Sequence, residues 1–144
     1  MKVDSDSKMI VDNSVTDAAV HDSKEILGLI DEKDKVLSAD SAYVGKGLHE
    51  ELLDKNPNLM LSINEKGYRN NPLTDAQKES NREKSKTRAR AEHVFGHMTN
   101  SFGGIFVRSI GIARVSCQIG LKNLAYNLQR YECLIRLEKA FLSC

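Results

Sequence analysis

The order of apolar and polar residues in the first third of the chain predicts strands alternating with a helix. Two short strands, at 2–3 and 9–15, flank a polar turn. Apolar residues then recur at helical spacing from Asp22 to about residue 32, after a capping signal that favours a helix start. A buried strand is expected at 35–39. Strand, helix and strand in this order predict a parallel crossover that joins 9–15 to 35–39.

The middle of the chain predicts a short helix and a further strand. Leucines at helical spacing mark a helix over 46–55, which Asn56-Pro57 would end. Residues 59–63 are the strand candidate, and residues 64–71 are polar and contain one glycine. This region therefore connects the first strands to the long helix that follows.

Two long helical patterns occupy the second half. Thr74 and Gln77 form a capping box at the start of a helix expected over 74–98, which two consecutive glycines then end. The second pattern covers 113–140, and the helix is expected to be bent or interrupted near Gly120. Its apolar stripe is expected to be either core or a self-association seam. The stripe consists of Leu121, Leu124, Leu128, Tyr131 and Ile135.

Composition fits a single globular domain. Hydrophobic residues make up 40% of the 144 residues and charged residues 28%. No apolar run approaches the roughly 20 residues that cross a bilayer, and the start lacks the apolar core of a signal peptide. We therefore expect a cytoplasmic protein with no membrane contact. The three cysteines form no Cys-x-x-Cys pair and are expected to be reduced thiols.

Charge is divided unevenly along the chain. Residues 1–54 hold 13 acidic and 6 basic side chains, whereas residues 55–144 hold 7 and 15, so the two parts carry −7 and +8. A basic half is typical of proteins that bind nucleic acid, but the two parts could equally attract each other or present ordinary solvated faces. Charge alone leaves these interpretations open.

Two carboxylates lie where chemistry could take place. Asp40 lies at the carboxyl end of the strand expected at 35–39. In open α/β sheets, ligands usually bind at the carboxyl ends of the strands. Glu92 lies on the long basic helix and shares one face with Arg88. Asn81 and Ser85 extend that face by helical spacing. Converging carboxylates could hold divalent cations for chemistry on a phosphodiester, whereas the alternative for Arg88 and Glu92 is an exposed intrahelical ion pair.

Several segments match one family in sequence and in order. They are Val15–Ser23, Ala39–Tyr43, Asn81-Arg82 with Ser85 and Arg88, Arg90–Gly96, Arg108–Arg114 and Ile119–Leu128. With these segments the chain resembles the catalytic domain of DDE transposases from bacterial insertion sequences of the fifth large family. Each motif is weak by itself, but together they cover nearly the whole chain in the family's order.

The resemblance implies an α/β fold, namely a ribonuclease-H-like mixed sheet with flanking helices. In that family three carboxylates hold two Mg²⁺ ions, with Mn²⁺ as an alternative, for cleavage and strand transfer of DNA. Asp40 matches the second acid and Glu92 the third, so both are implied metal ligands. Arg88 matches the arginine of the signature Tyr-x2-Arg-x3-Glu-x6-Lys, where it could orient Glu92 or contact a phosphate. Ser85 and Thr99 replace the tyrosine and lysine of that signature.

The resemblance also implies DNA as the partner, both transposon ends and target. Basic side chains on the long helix are expected to contact phosphates without reading sequence. The expected phosphate-binding residues are Arg82, Lys86, Arg88 and Arg90.

The family's first acid lies upstream of the hairpin at which this chain starts. We therefore expect an amino-terminally truncated, carboxyl-terminal part of a transposase that is inactive alone and pairs with the missing segment or with itself. Its single partial domain is divided into 1–45 up to the second acid, a connecting segment at 46–73, the helix at 74–98 with the third acid, and the helix at 113–140. The alternative function is an inactive regulator or remnant that binds DNA or an intact transposase.

Overall fold

The computed structural model describes residues 1–17, 19–39, 46–69, 72–104 and 106–142. The described residues form four strands and four helices, in agreement with the predicted mixed α/β class. In chain order the elements are β1 (Lys2–Val3), β2 (Ile10–Asp12), α1 (Asp22–Leu29), β3 (Val36–Ala39), α2 (Lys46–Lys55), β4 (Met60–Ile63), α3 (Asp75–Phe102) and α4 (Ile112–Leu142).

The chain divides into two compact units. One unit combines Met1–Ala19 with Arg90–Cys144, and the other is Val20–Ala89. Helix α3 passes through the boundary between them, so each unit contains one part of this helix. No helix of the described ranges is long and apolar enough to cross a membrane.

Strands β1 and β2 form the predicted antiparallel hairpin, with Lys2 opposite Asp12. Its turn is closed by the Asp4 carboxylate, which accepts hydrogen bonds from Ser7 Oγ at 2.5 Å and from the Ser7 N–H at 2.7 Å. These two bonds hold the pKa of Asp4 below its usual value. Their contribution to stability is therefore present above the ordinary carboxyl range and is lost as the pH falls through the lowered pKa.

Strands β3 and β4 form a separate two-stranded parallel sheet, in which Leu37 lies opposite Leu61. The predicted crossover from the strand at 9–15 to the strand at 35–39 stays a prediction, because β2 and β3 belong to different units. In the described residues the crossover helix is α2, which joins β3 to β4, while β2 pairs with β1. The strand–helix–strand pattern occurs twice in the sequence, and hydrophobic periodicity does not say which pair of strands shares hydrogen bonds.

The Val20–Ala89 unit has a small apolar core and, beside it, a buried asparagine that links two segments of the chain. Leu52 of α2 is fully buried against Ile30 and Leu59. Asn56, 2% exposed, ends α2 and donates hydrogen bonds to the carbonyl oxygens of Asp31 at 3.0 Å and Asp34 at 2.8 Å. This side chain ties the segment after α1 to the end of α2, because its buried amide needs hydrogen-bond acceptors.

Helix α3 starts at the predicted capping box. Thr74 Oγ1 accepts a hydrogen bond from the Gln77 N–H at 3.3 Å, and Gln77 Oε1 accepts one from the Thr74 N–H at 2.9 Å. The helix ends at Phe102, somewhat beyond the predicted residue 98. Gly103 and Gly104 follow with φ values of 68° and 66°, a conformation that favours glycine.

Helix α4 runs without a break through Gly120, so an interruption there is wrong, whereas the alternative, a bend, stays a prediction. A glycine inside a helix costs only about 1 kcal/mol relative to alanine, which the surrounding helix-forming residues and the packing of α4 can offset. The inner side of this helix is different from the predicted one. Tyr126 is buried together with Ile10, Val94 and Met98 in the core of the other unit.

Candidate functional site

The polar face of α3 is fixed to the segment that follows β4. Asn81 accepts a hydrogen bond from the Glu65 N–H and donates one to the Glu65 carbonyl, both at 2.9 Å. One turn later Ser85 Oγ accepts a hydrogen bond from the Asn64 side-chain amide at 3.2 Å. Two of the four residues predicted to share this face therefore position the helix against the chain that leaves the parallel sheet.

Lys84 adds a third attachment beside them. Its ammonium donates to the Ile63 carbonyl at 3.1 Å and lies 3.9 Å from the Glu65 carboxylate. The last residue of β4 and the two residues after it thus contact one side-chain amide, one hydroxyl and one ammonium from α3. Sequence periodicity placed Asn81 and Ser85 on the correct face, but it gave no signal for Lys84 or for the segment that the face contacts.

Arg88 and Glu92 continue the same face along α3, four residues apart. The Arg88 side chain is half-buried, whereas the Glu92 side chain is exposed. Asp40, the other predicted ligand, lies outside the described residues. Within those residues no group of three His, Cys, Asp or Glu side chains could hold a metal ion.

The basic residues predicted to contact phosphates fall into two sets. Arg82 and Lys86 are exposed, and each pairs with the acid three residues before it. The Arg82 guanidinium lies 3.8 Å from Glu79, and the Lys86 ammonium lies 2.6 Å from Glu83. Such exposed pairs are worth about 0–1 kcal/mol, so these cations can exchange their partner for a phosphate at little cost.

The second set, Arg88 and Arg90, has other surroundings. Arg90 reaches the turn of the β1–β2 hairpin. Its guanidinium donates to the Ser5 carbonyl at 3.4 Å and lies 3.5 Å from the Asp6 carboxylate. Both side chains of that pair remain more than half exposed. Arg88 also differs from Arg82 and Lys86, since it is half-buried on the Glu92 face.

Helix α4 holds the hairpin through polar side chains in the segment Ile119–Leu128 and just beyond it. Asn127 accepts a hydrogen bond from the Ile10 N–H at 2.9 Å and donates to the Ile10 carbonyl at 2.7 Å. Tyr126 Oη donates to the Lys8 carbonyl at 2.8 Å, and burial raises the pKa of this phenol. Arg130 Nε donates to the Ser7 carbonyl at 2.7 Å. These side chains make hydrogen bonds to backbone groups of the hairpin that a neighbouring strand would otherwise make.

The comparisons with known proteins match the chain to one family. The family model described as "Transposase DDE domain" matches residues 1–128, which include the hairpin, both predicted acids and the Asn127 contact. The chain is a member of the transposase DDE domain family. The predicted relation to DDE transposases of insertion sequences is thereby confirmed.

A curated relative supports the same assignment. The transposase for insertion sequence element IS1106 from Neisseria meningitidis serogroup B is 33% identical to this DDE-domain chain over 116 residues. The match covers 79% of the chain and 40% of the relative, so the chain spans less than half of the relative's length. No solved structure matches the chain.

Proposed function

We propose that the chain is part of a DNA transposase that transfers phosphoryl groups at transposon ends, by hydrolytic cleavage followed by strand transfer. The family match over residues 1–128 carries this proposal. The order of β1, β2, α1 and β3 before the second predicted acid is compatible with part of a ribonuclease-H-like domain. The proposed place of action is the bacterial cytoplasm, where the chromosome and its insertion sequences lie.

Asp40 and Glu92 are the proposed metal ligands. Both offer carboxylate oxygens, the donors that Mg²⁺ prefers, and Mn²⁺ accepts the same set. The exposed position of Glu92 on α3 is compatible with this role. When bound, the ions would supply charge neutralisation and activation of the attacking hydroxyl at the phosphodiester.

Arg88 has a proposed role at the same place. Its position one turn before Glu92 on a continuous helix allows its guanidinium to orient the carboxylate or to contact a phosphate oxygen. Its partial burial favours a fixed orientation over a freely moving surface cation. A lysine at this position would keep the charge but lose the paired donors of the guanidinium.

DNA would be contacted along the outer side of α3. Arg82 and Lys86 are one turn apart on the exposed surface, and their present partners are exposed carboxylates that bind weakly. Arg90 could join them if it left the hairpin turn, where its contacts are long. These contacts would be independent of sequence and sensitive to salt.

The family chemistry needs three carboxylates, and we propose that a polypeptide segment other than these 144 residues supplies the first acid. Alone, the chain would then bind metal weakly and leave DNA intact. The alternative proposal is an inactive regulator that binds DNA or an intact transposase. It also predicts that the chain alone leaves DNA intact. The two differ in what happens when a segment that carries the first acid is added.

A nicking assay on supercoiled DNA with Mn²⁺ separates these proposals. The arms are the chain alone and the chain mixed with a polypeptide that carries the family's first acid, each as wild type and as Glu92→Gln. Glu132→Gln is the matched control, because Glu132 is an exposed glutamate of α4 that pairs with Arg136. Nicking by the mixture should fall at least about 1,000-fold in Glu92→Gln and stay unchanged in Glu132→Gln.

Each outcome of the assay has a distinct meaning. Nicking by the chain alone that disappears in Glu92→Gln would show that a local carboxylate completes the site and would contradict the need for another segment. Nicking that survives Glu92→Gln would remove Glu92 from the proposed ligands. Silence of every arm, together with salt-dependent DNA binding, would favour the regulator.

A further inference from the structure

The outer face of α4 is apolar along most of the helix. Leu121, Leu124, Leu128 and Tyr131 are 60%, 55%, 62% and 56% exposed. The inner face of α4, with Tyr126 and the hairpin contacts described above, lies on the opposite side of the helix. Each of the four outer side chains is therefore more than half exposed among the described residues. The stripe predicted as core or as a self-association seam is therefore outside the core in this structure.

The spacing of this stripe is that of a coiled-coil seam. Steps of three and four residues alternate without interruption from one end of α4 to the other. An apolar residue at an average of every 3.5 positions keeps one seam facing a partner helix. The positions on the seam are Arg114, Cys117, Leu121, Leu124, Leu128, Tyr131, Ile135 and Glu138.

The two ends of the seam carry opposite charges. Arg114 and Glu138 are both exposed, and about 36 Å of helix separates them at 1.5 Å per residue. In a parallel pair of identical helices each end would place like charges opposite each other. In an antiparallel pair Arg114 of one helix lies opposite Glu138 of the other at both ends.

We propose that α4 pairs with α4 of a second copy of this chain as an antiparallel coiled coil. In the register that sets Arg114 opposite Glu138, Leu124 lies opposite Leu128 and Leu121 lies opposite Tyr131. Every central layer is then apolar and both terminal layers are charge-paired. The charge complementarity and the uninterrupted spacing fix both the occupant and its direction, and neither depends on the proposed catalysis.

The first test measures the mass of the purified 144-residue chain by sedimentation equilibrium over a range of concentrations. Wild type is expected to dimerise reversibly. Leu124→Glu places a carboxylate in a central apolar layer at both symmetry-related positions, so the dissociation constant should rise at least about 100-fold. Leu137→Glu is the matched control, because Leu137 is 52% exposed on the same helix but off the seam. It should leave the dissociation constant within about threefold.

The second test reads the direction of the helices by reversing charge. Arg114→Glu or Glu138→Arg alone would create like charges at both ends and raise the dissociation constant about tenfold. The double variant Arg114→Glu with Glu138→Arg should return it to near the wild-type value. Circular dichroism of each variant checks that α4 stays helical, so that loss of association is separated from loss of folding.

The third test uses cysteine cross-linking on a background in which Cys133 and Cys144 are serine. In the proposed register Ile135→Cys lies opposite Cys117 of the second copy, so a short thiol cross-linker should join these two positions. In a parallel pair Cys117 would join Cys117 instead. A wild-type monomer at every concentration, a double variant weaker than either single one, or Cys117–Cys117 linkage as the main product would overturn the proposal.

Discussion

Helices α3 and α4 have nearly equal lengths, 28 and 31 residues, but their outer faces differ in kind. The exposed side of α3 carries cations that each pair with an acid three residues earlier. The exposed side of α4 carries leucines and a tyrosine. The first surface suits a polyanion, whereas the second suits another apolar helix.

The inner faces reverse this contrast. On α3 the buried residues of the unit that contains the hairpin are Val94 and Met98, which are apolar. On α4 the residues that face the hairpin include Tyr126, Asn127 and Arg130, whose polar atoms bond to backbone carbonyls and an N–H. A helix that packs on a hairpin edge must satisfy backbone groups, so its inner face can be the more polar one.

The largest expected effect comes from the apolar inner face of α3. Met98 is 1% exposed, and Met98→Ala should lower the free energy of unfolding by about 3 kcal/mol because it leaves a cavity beside Val94 and Tyr126. Chemical denaturation of Met98→Ala and of Leu137→Ala measures the contrast. A loss from Met98→Ala no larger than that from the exposed Leu137→Ala would mean that this core is not formed in solution.

The next effect compares two asparagines that make the same pair of backbone contacts. Asn127→Ala should cost about 2–3 kcal/mol, because the Ile10 N–H and carbonyl are partly buried and would lose both partners. Asn81→Ala should cost only about 1 kcal/mol, because the Glu65 backbone groups can turn to water. Thermal unfolding of both variants measures the difference. Equal losses would show that the Glu65 contacts of Asn81 are shielded from water as well as the Ile10 contacts of Asn127, contrary to the comparison.

The smallest effect concerns the outer face of α3. Arg82→Glu with Lys86→Glu should weaken DNA binding about tenfold at low salt and reduce the slope of log affinity against log salt by about 2. Arg136→Glu is the control on α4, where Arg136 pairs with Glu132 at 2.5 Å. Fluorescence anisotropy with a labelled duplex over a salt series gives both slopes. If Arg136→Glu changes the slope as much as the α3 double variant, DNA binding is not specific to the outer face of α3, contrary to the proposal.

Local signals in the sequence located most of the elements correctly. The helix predicted over 46–55 coincides with α2, and the strand predicted at 59–63 contains β4. The capping box of Thr74 and Gln77 is confirmed by both of its hydrogen bonds. These features depend on residues a few positions apart, which is the range over which capping and periodicity act.

Features that depend on distant residues were not predicted. Pairing of β3 with β4 joins residues far apart in the sequence, so no local pattern indicated it. Asn127 and Ile10 are 117 residues apart. No local pattern therefore indicates that the Asn127 side chain bonds to the Ile10 backbone. For the candidate site, the sequence placed Glu92 and Arg88 on one helix, and their roles as ligand and positioning group stay predictions.

By itself, the sequence determined the family, the starts of the helices to within a residue, and the spacing of the apolar row on α4. These are properties of neighbouring residues and of motif order, and they do not depend on how the chain closes. Only the tertiary structure decided that the apolar row faces outward and that polar side chains of α4 face the hairpin. The physical reason is that the unpaired backbone groups of the hairpin need donors and acceptors, and α4 supplies them from the side that periodicity alone would have assigned to solvent.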